Sequence, residues 1–260
     1  MKSRILVDSC VIVSASILVS SSDIDEKLSI KHHFYEECKE LFTFIQKNLA
    51  KRIGIITYTI ENEALGVLDK VIEGELKSRG YSRENFEVFS AVFNICENRM
   101  RGLIALLQRE PVDSADVAQK ILLIKKMYEE MKEKAVKLPK TAALKTQTVP
   151  PKFRRALNWF ELFKTQDEME HAQLYNLLRK DVEPSDIAIL AEAYHLYTTY
   201  IATEGKGGNL YIASKDSHFV PVRRKGWTYE GREITDEIQK RFGITCEHPK
   251  KVKELFIKKQ

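Results

Sequence analysis

Four acidic residues stand out because of what surrounds them. Asp8 closes the apolar run RILV, and Glu63 lies shortly after IGII, within ITYTIENEAL. Asp186 follows Pro184 and Ser185 at the head of IAILAEAYHLY, and Asp216 comes one lysine after LYIAS. Each sits where a strand-like segment ends or a helix-like segment begins. In an open parallel sheet these strand ends and helix starts share one edge, the edge at which ligands bind. Carboxylates gathered there repel one another and raise each other's pKa unless a cation sits among them. Oxygen-only ligands suit Mg2+ or Mn2+ better than zinc. Such an ion orients a water, lowers its pKa and stabilises the charge of an in-line phosphoryl transition state.

Taken singly, each acid also has a plainer role. A lone buried carboxylate is costly, and Asp8 or Ser9 answers that cost by capping a helix that begins near Val11. Glu61 and Glu63 both suit the first turn of a helix, where the dipole favours acids, so the second acid is left open between them. Asp186 fits the same description, and Asp216 suits a turn.

The elements that position these residues follow from periodicity. Residues 5–7 and 53–56 are apolar and β-branched, as buried strands are. Phe34, Cys38, Leu41, Phe42, Ile45 and Leu49 recur at steps of three and four, an amphipathic helix. After the loop EGKGGN, LYIAS is a strand; residues 232–242 are helical with Gly243 as the stop, and ITC is a last strand before a basic helix. The segment PSDIAILAEAYHLY is a helix with Ser185 as its cap. The strand–helix order predicts an α/β fold with a parallel sheet flanked by helices.

The middle differs. Phe86, Phe89, Phe93, Cys96, Met100, Leu103 and Leu107 alternate steps of three and four, and Val117, Ile121, Ile124, Tyr128 and Met131 do so after EPVDS. Two such helices joined by a short link read as an antiparallel hairpin. The expected organisation is an α/β core over residues 1–80 and 175–260, interrupted by a helical insertion with a basic loop over 81–174.

Composition narrows the class. The 260 residues are 43% hydrophobic and 30% charged, as in a soluble globular protein. The apolar N-terminal run carries Asp8 at its centre, which a secretory signal does not, and no run reaches the length of a membrane span. The four cysteines are scattered without a C-x-x-C pair, reading as reduced thiols of a cytoplasmic protein. None of the six histidines falls in a paired metal spacing, though His218 lies close enough to Asp216 to touch a substrate. The net charge of +5 permits a nucleic-acid partner without requiring one. Residues 120–155 hold eleven Lys/Arg against three Glu. That run suits either a phosphate backbone or a solvated helix face and loop. Lys125, Lys126, Lys132, Lys134 and Lys137 are expected to be solvated.

The blocks RILVDSCVIVSA, ITYTIENEAL, PSDIAILAEAYHLY and LYIASKDSHF occur in the order of the four signature blocks of the PIN-domain nucleases, and the chain resembles that family. The resemblance covers roughly the first eighty residues and the last eighty-five. It implies a metal-dependent endoribonuclease that holds Mg2+ or Mn2+ on Asp8, Glu63, Asp186 and Asp216. Ser214 takes the hydroxyl position of the last block and supports a ligand or substrate, and Phe219 closes that block. Cys10 stands where a polar residue, often Asn, is common, and the long middle segment departs from compact members. The implied partner is RNA; the resemblance is silent on the middle segment, where the basic run alone offers Lys145, Lys152, Arg154 and Arg155 as candidate backbone contacts. Two other readings stay open. One is a PIN-like RNA-binding or assembly factor with a weak or silent pocket. The other is a protein that docks a partner, or a second copy of itself, through the helical hairpin.

Overall fold

Strand β1, Arg4–Val7, lies at the centre of a five-stranded sheet, with Ile5, Leu6 and Val7 fully buried. The computed structural model describes residues 3–17, 33–81, 86–136, 174, 177, 178, 182–202, 208–221 and 231–258. The other strands are β2 Gly54–Ile56, β3 Gln108–Arg109, β4 Leu210–Ala213 and β5 Ile244–Glu247. Their order is β3-β2-β1-β4-β5, and every pairing is parallel. Leu6 registers with Ile55 on one side and Ile212 on the other. The near-continuous apolar strands match a sheet covered on both faces. From β1 the chain steps outward to β2 and β3, then returns to lay β4 on the far side of β1. The direction of winding therefore reverses between β1 and β4, which is where open α/β sheets form a ligand crevice.

The covering helices are α1 Ser9–Ile17, α2 His33–Lys47, α3 Tyr58–Lys77, α4 Phe86–Ala105, α5 Ser114–Val136, α6 Pro184–Leu196, α7 Arg232–Phe242 and α8 Pro249–Lys258. All of α1 but Cys10 is buried, as its apolar and small residues allow, and α2, α3 and α4 pack around it. Helix α6 begins with Pro184 in its first turn and Glu183 at the cap, so Ser185 is not the cap its sequence suggested. Its last turn runs on as a π-helical stretch, Tyr197–Ile201. Helix α7 stops at Gly243, whose φ of 71° is the left-handed conformation that glycine adopts freely. Among the described residues no helix is long and apolar enough to cross a membrane.

Two expectations for the middle of the chain give way. Gln108 and Arg109 pair with Ile55 and Ile56, so the stretch expected as an insertion over 81–174 supplies the sheet's outer strand. The two heptad-patterned helices do not make a hairpin packed chiefly on itself. Helix α4 lies against α1 and α3, and α5 lies against α6. The reason is general: spacing of three and four marks a buried face, without saying which neighbour buries it. In α4 the buried positions are Val92, Cys96, Met100 and Ile104, while Phe86 at the helix start is exposed.

Candidate metal centre at the carboxyl edge of the sheet

Asp8 is the first residue after β1, and its backbone serves as the cap of α1. Its carbonyl accepts the N–H groups of Val11 and Ile12, and its Oδ1 accepts the N–H of Ser9 at 2.7 Å. The backbone of Asp8 thus caps α1 while its side chain, 3% exposed, stands at the strand's end. Its second oxygen, Oδ2, accepts the hydroxyl of Ser214 at 2.5 Å and the thiol of Cys10 at 3.0 Å. Burial pushes the Asp8 carboxyl up to about 6; the charges of Glu63 and Asp216 push the same way, against the Cys10 and Ser214 donors. Burial and the neighbouring Asp8 charge raise the Cys10 thiol well above its usual range, so it acts as a donor and not as a thiolate.

Strand β4 delivers the second part of the site. Ser214 is wholly buried, and besides reaching Asp8 its Oγ accepts the backbone N–H of Asp216 at 2.9 Å. Asp216 Oδ1 in turn accepts the backbone N–H of His218 at 2.7 Å. This ladder of short-range bonds fixes the turn after β4. Tyr128 of α5 secures the far end of the turn, donating its hydroxyl to the carbonyl of His218 at 2.6 Å.

Asp186, in the first turn of α6, faces that turn. His218 Nδ1 stands 3.1 Å from Asp186 Oδ2 and 3.1 Å from Asp216 Oδ1. Burial disfavours a charged His218 ring, but the bonds to Asp186 and Asp216 and their charges prevail and hold it at about 9. Burial also raises the Asp186 carboxyl, with the His218 donor opposing. For Asp216 the outcome reverses: burial raises it, yet the His218 ring, backbone N–H and charge together bring it below the usual aspartate value.

The choice left open in the sequence is visible in α3. Glu61 is engaged by Arg109 of β3 through two bonds, at 2.7 and 2.6 Å, and this pairing lowers its pKa. Glu63 instead lines the cleft, and its Oε2 is shielded from solvent with no hydrogen-bond partner among the described residues. Asp8, Glu63, Asp186 and Asp216 all border one cleft of about 590 Å³, together with Ser9, Cys10 and His218. Ser214 lies beneath it, under Asp8. The candidate backbone contacts Lys145, Lys152, Arg154 and Arg155 fall outside the described residues, as does Lys137. Of the remaining lysines expected in solvent, Lys125, Lys126 and Lys134 are exposed and Lys132 is half-buried.

The sequence around His218 shows only part of its role. Its place two residues after Asp216 shows the first of its two carboxylate partners; Asp186, far away in the chain, is joined to it only by the fold. A separate buried network lies further along α6. There Glu192 accepts the hydroxyl of Thr59, and His195 Nδ1 lies 2.6 Å from Asp116 Oδ2. It ties α3 and α5 to α6, and neither residue borders the cleft.

Compared with known proteins, the chain matches no family model, no curated protein and no solved structure. The functional reading rests on its own residues.

Proposed function

We propose that this protein is a metal-dependent endoribonuclease of PIN-like fold, hydrolysing RNA phosphodiester bonds in the cleft between β1 and β4. The observation that carries the reading is the meeting of Asp8, Glu63, Asp186 and Asp216 in one cleft at the reversal point of a parallel sheet. The order of the four sequence blocks supports RNA as the substrate class. The net charge of +5, with its basic run between residues 120 and 155, suits a polyanion.

The donor set fits Mg2+ or Mn2+. Ligand atoms of Asp186, Asp216 and His218 lie within 4.8 Å of one another, and Glu63 Oε2 is a buried acceptor without a partner. Asp186 and Asp216 would hold the ion, with Asp8 and Glu63 on the walls of the same cleft, outside that close cluster of ligand atoms. When bound, it supplies a water of lowered pKa and positive charge opposite the developing phosphorane. The chain's own residues do the rest. Asp8 must present an ionised Oδ2, and the Ser9 N–H, Cys10 thiol and Ser214 hydroxyl fix its orientation while favouring the charged form. Ser214 is a positioning residue, since it sets Asp8 and the Asp216 backbone at once. The walls of the cleft hold the phosphate within reach of these groups, the positioning on which phosphoryl transfer depends.

The test is cleavage of end-labelled RNA by the full chain with Mg2+ or Mn2+, against a chelated control and the Asp8→Asn and Asp186→Asn variants. Metal-dependent cutting that vanishes in both folded variants supports the reading. Failure of the intact protein to cut any RNA, or undiminished cutting by the variants, refutes it and favours a binding or assembly role.

A further inference from the structure

We infer that His218 is itself a ligand of the ion in this cleft and that the site therefore selects Mn2+ over Mg2+; this rests on the metal-dependent reading above. The four-acid set alone is hard and oxygen-only, and does not distinguish the two ions strongly. An imidazole nitrogen changes that, because Mg2+ keeps to oxygen ligands while first-row transition ions accept imidazole readily.

Two features of the geometry point to the ring, and a third points to a cation in the cleft. His218 Nδ1 is 3.1 Å from a carboxylate oxygen of Asp186 and 3.1 Å from one of Asp216. An octahedral ion with bonds of about 2.1 Å holds adjacent ligand atoms about 3 Å apart, so both nitrogen–oxygen spacings already match. The hydrogen that Nδ1 directs at the two carboxylates marks the place the ion would take. Second, the ring is held there by other residues. Tyr128 packs edge-on against it with ring centroids 6.5 Å apart and bonds its carbonyl, and the His218 N–H is bonded to Asp216 Oδ1. A ring so pre-set keeps its place on binding and has only to release its Nδ1 proton to solvent as the ion arrives. Third, Glu63 Oε2 borders the same cleft, out of solvent and without a hydrogen-bond partner among the described residues. A cation in the cleft would offset that oxygen's charge whichever role His218 plays, so this feature supports the cation and the first two assign the ring.

The deciding experiment loads the full chain with Mn2+ alone and records pulsed EPR, with Mn2+ and Mg2+ affinities measured by titration calorimetry. The wild type is expected to bind Mn2+ more tightly than Mg2+ and to show the hyperfine coupling of a directly bound 14N nucleus. His218→Ala should lose that coupling and weaken Mn2+ binding about tenfold or more, the least expected from a ligand when supporting residues alone are worth that much. Its Mg2+ affinity should change little. His218→Asp, which keeps a charged oxygen ligand at the position, should recover binding with the preference shifted toward Mg2+, and it serves if the alanine variant folds poorly. Mn2+ binding without a 14N coupling, or a coupling that survives in His218→Ala, overturns the ligand assignment and leaves the nuclease reading standing. Tighter Mn2+ binding by His218→Ala would show that the ring competes with the ion. No Mn2+ binding by the wild type overturns both readings.

Discussion

Ser214 Oγ donates a hydrogen bond to Asp8 Oδ2 at 2.5 Å, joining the end of β4 to the end of β1 where the sheet reverses its winding. Residues 206 apart in the chain thus share one buried contact at the base of the cleft. The bond matters because Asp8 is an expensive residue to keep ionised in that place, and Ser214 is one of the few groups that offset the cost.

The Asp8 carboxyl titrates at 3.8 when unperturbed and at about 6 in the fold, burial being the main cause. Its effect on stability follows from that direction. Relative to the unfolded chain, the group favours folding while protonated, and this contribution is lost as pH rises through about 6. Near neutral pH the charged carboxylate therefore opposes folding, by up to about 3 kcal/mol for a shift of about two units. Asp8→Asn keeps the shape and removes the charge. In chelated, metal-free protein it should melt higher than the wild type near neutral pH, with the gap closing below about pH 4 as Asp8 itself protonates. Thermal denaturation across that range checks it. A variant that melts lower at neutral pH would mean that the Ser9, Cys10 and Ser214 bonds outweigh the cost of burying the charge.

Glu61 and Glu63 should separate cleanly in mutagenesis. Glu61 is occupied by Arg109, and its pKa is lowered by that exposed pair, whereas Glu63 faces the cleft. Glu61→Gln is expected to leave Mn2+ affinity and RNA cleavage near wild type, and Glu63→Gln to reduce both about tenfold or more. Calorimetry and initial rates on one RNA suffice. The reverse ranking would place the metal on the outer side of α3.

How much of this was readable in the chain depends on the element. Asp8, Asp186 and Asp216 were legible because each stands beside an unmistakable apolar segment, and one edge of a parallel sheet collects them. Gly243 was legible as a helix stop for the same local reason. Strand β3 was not. Gln108–Arg109 is two polar residues long, with no alternation, and acquires strand geometry only by lying along β2. The partners of α4 and α5 were not either, since any buried helix face shows the same spacing. The choice between Glu61 and Glu63 needed the rotation of α3: two residues are about 200° apart around a helix, so only the packed register decides which one faces the cleft. The double contact of His218 joins residues 32 apart, beyond the reach of a local pattern.

Gly243 provides a test of the fold that is independent of any chemistry. Its backbone is left-handed, and a Cβ added there would lie 2.5 Å from Cε1 and 2.6 Å from Cζ of Tyr197. Gly243→Ala should cost about 1–2 kcal/mol in backbone strain and about 1–3 kcal/mol in overpacking. Gly66 in α3, with nothing within 4 Å of its added Cβ, is the contrast. Gly66→Ala should stabilise by up to about 1 kcal/mol through helix propensity. Urea denaturation of both variants measures the difference. Equal effects would contradict the packing of Tyr197 on the end of α7.

Anomalous diffraction from Mn2+-soaked crystals decides whether the carboxyl edge between β1 and β4 holds a divalent metal. A strong anomalous peak is expected in the cleft bounded by Asp8, Glu63, Asp186 and Asp216, in bonding contact with Asp186, Asp216 and His218. The peak should be absent in Asp186→Asn crystals soaked in the same way. A cleft without a peak at saturating Mn2+, or a peak bound elsewhere on the chain with the four acids left bare, would rule out a metal site at this edge.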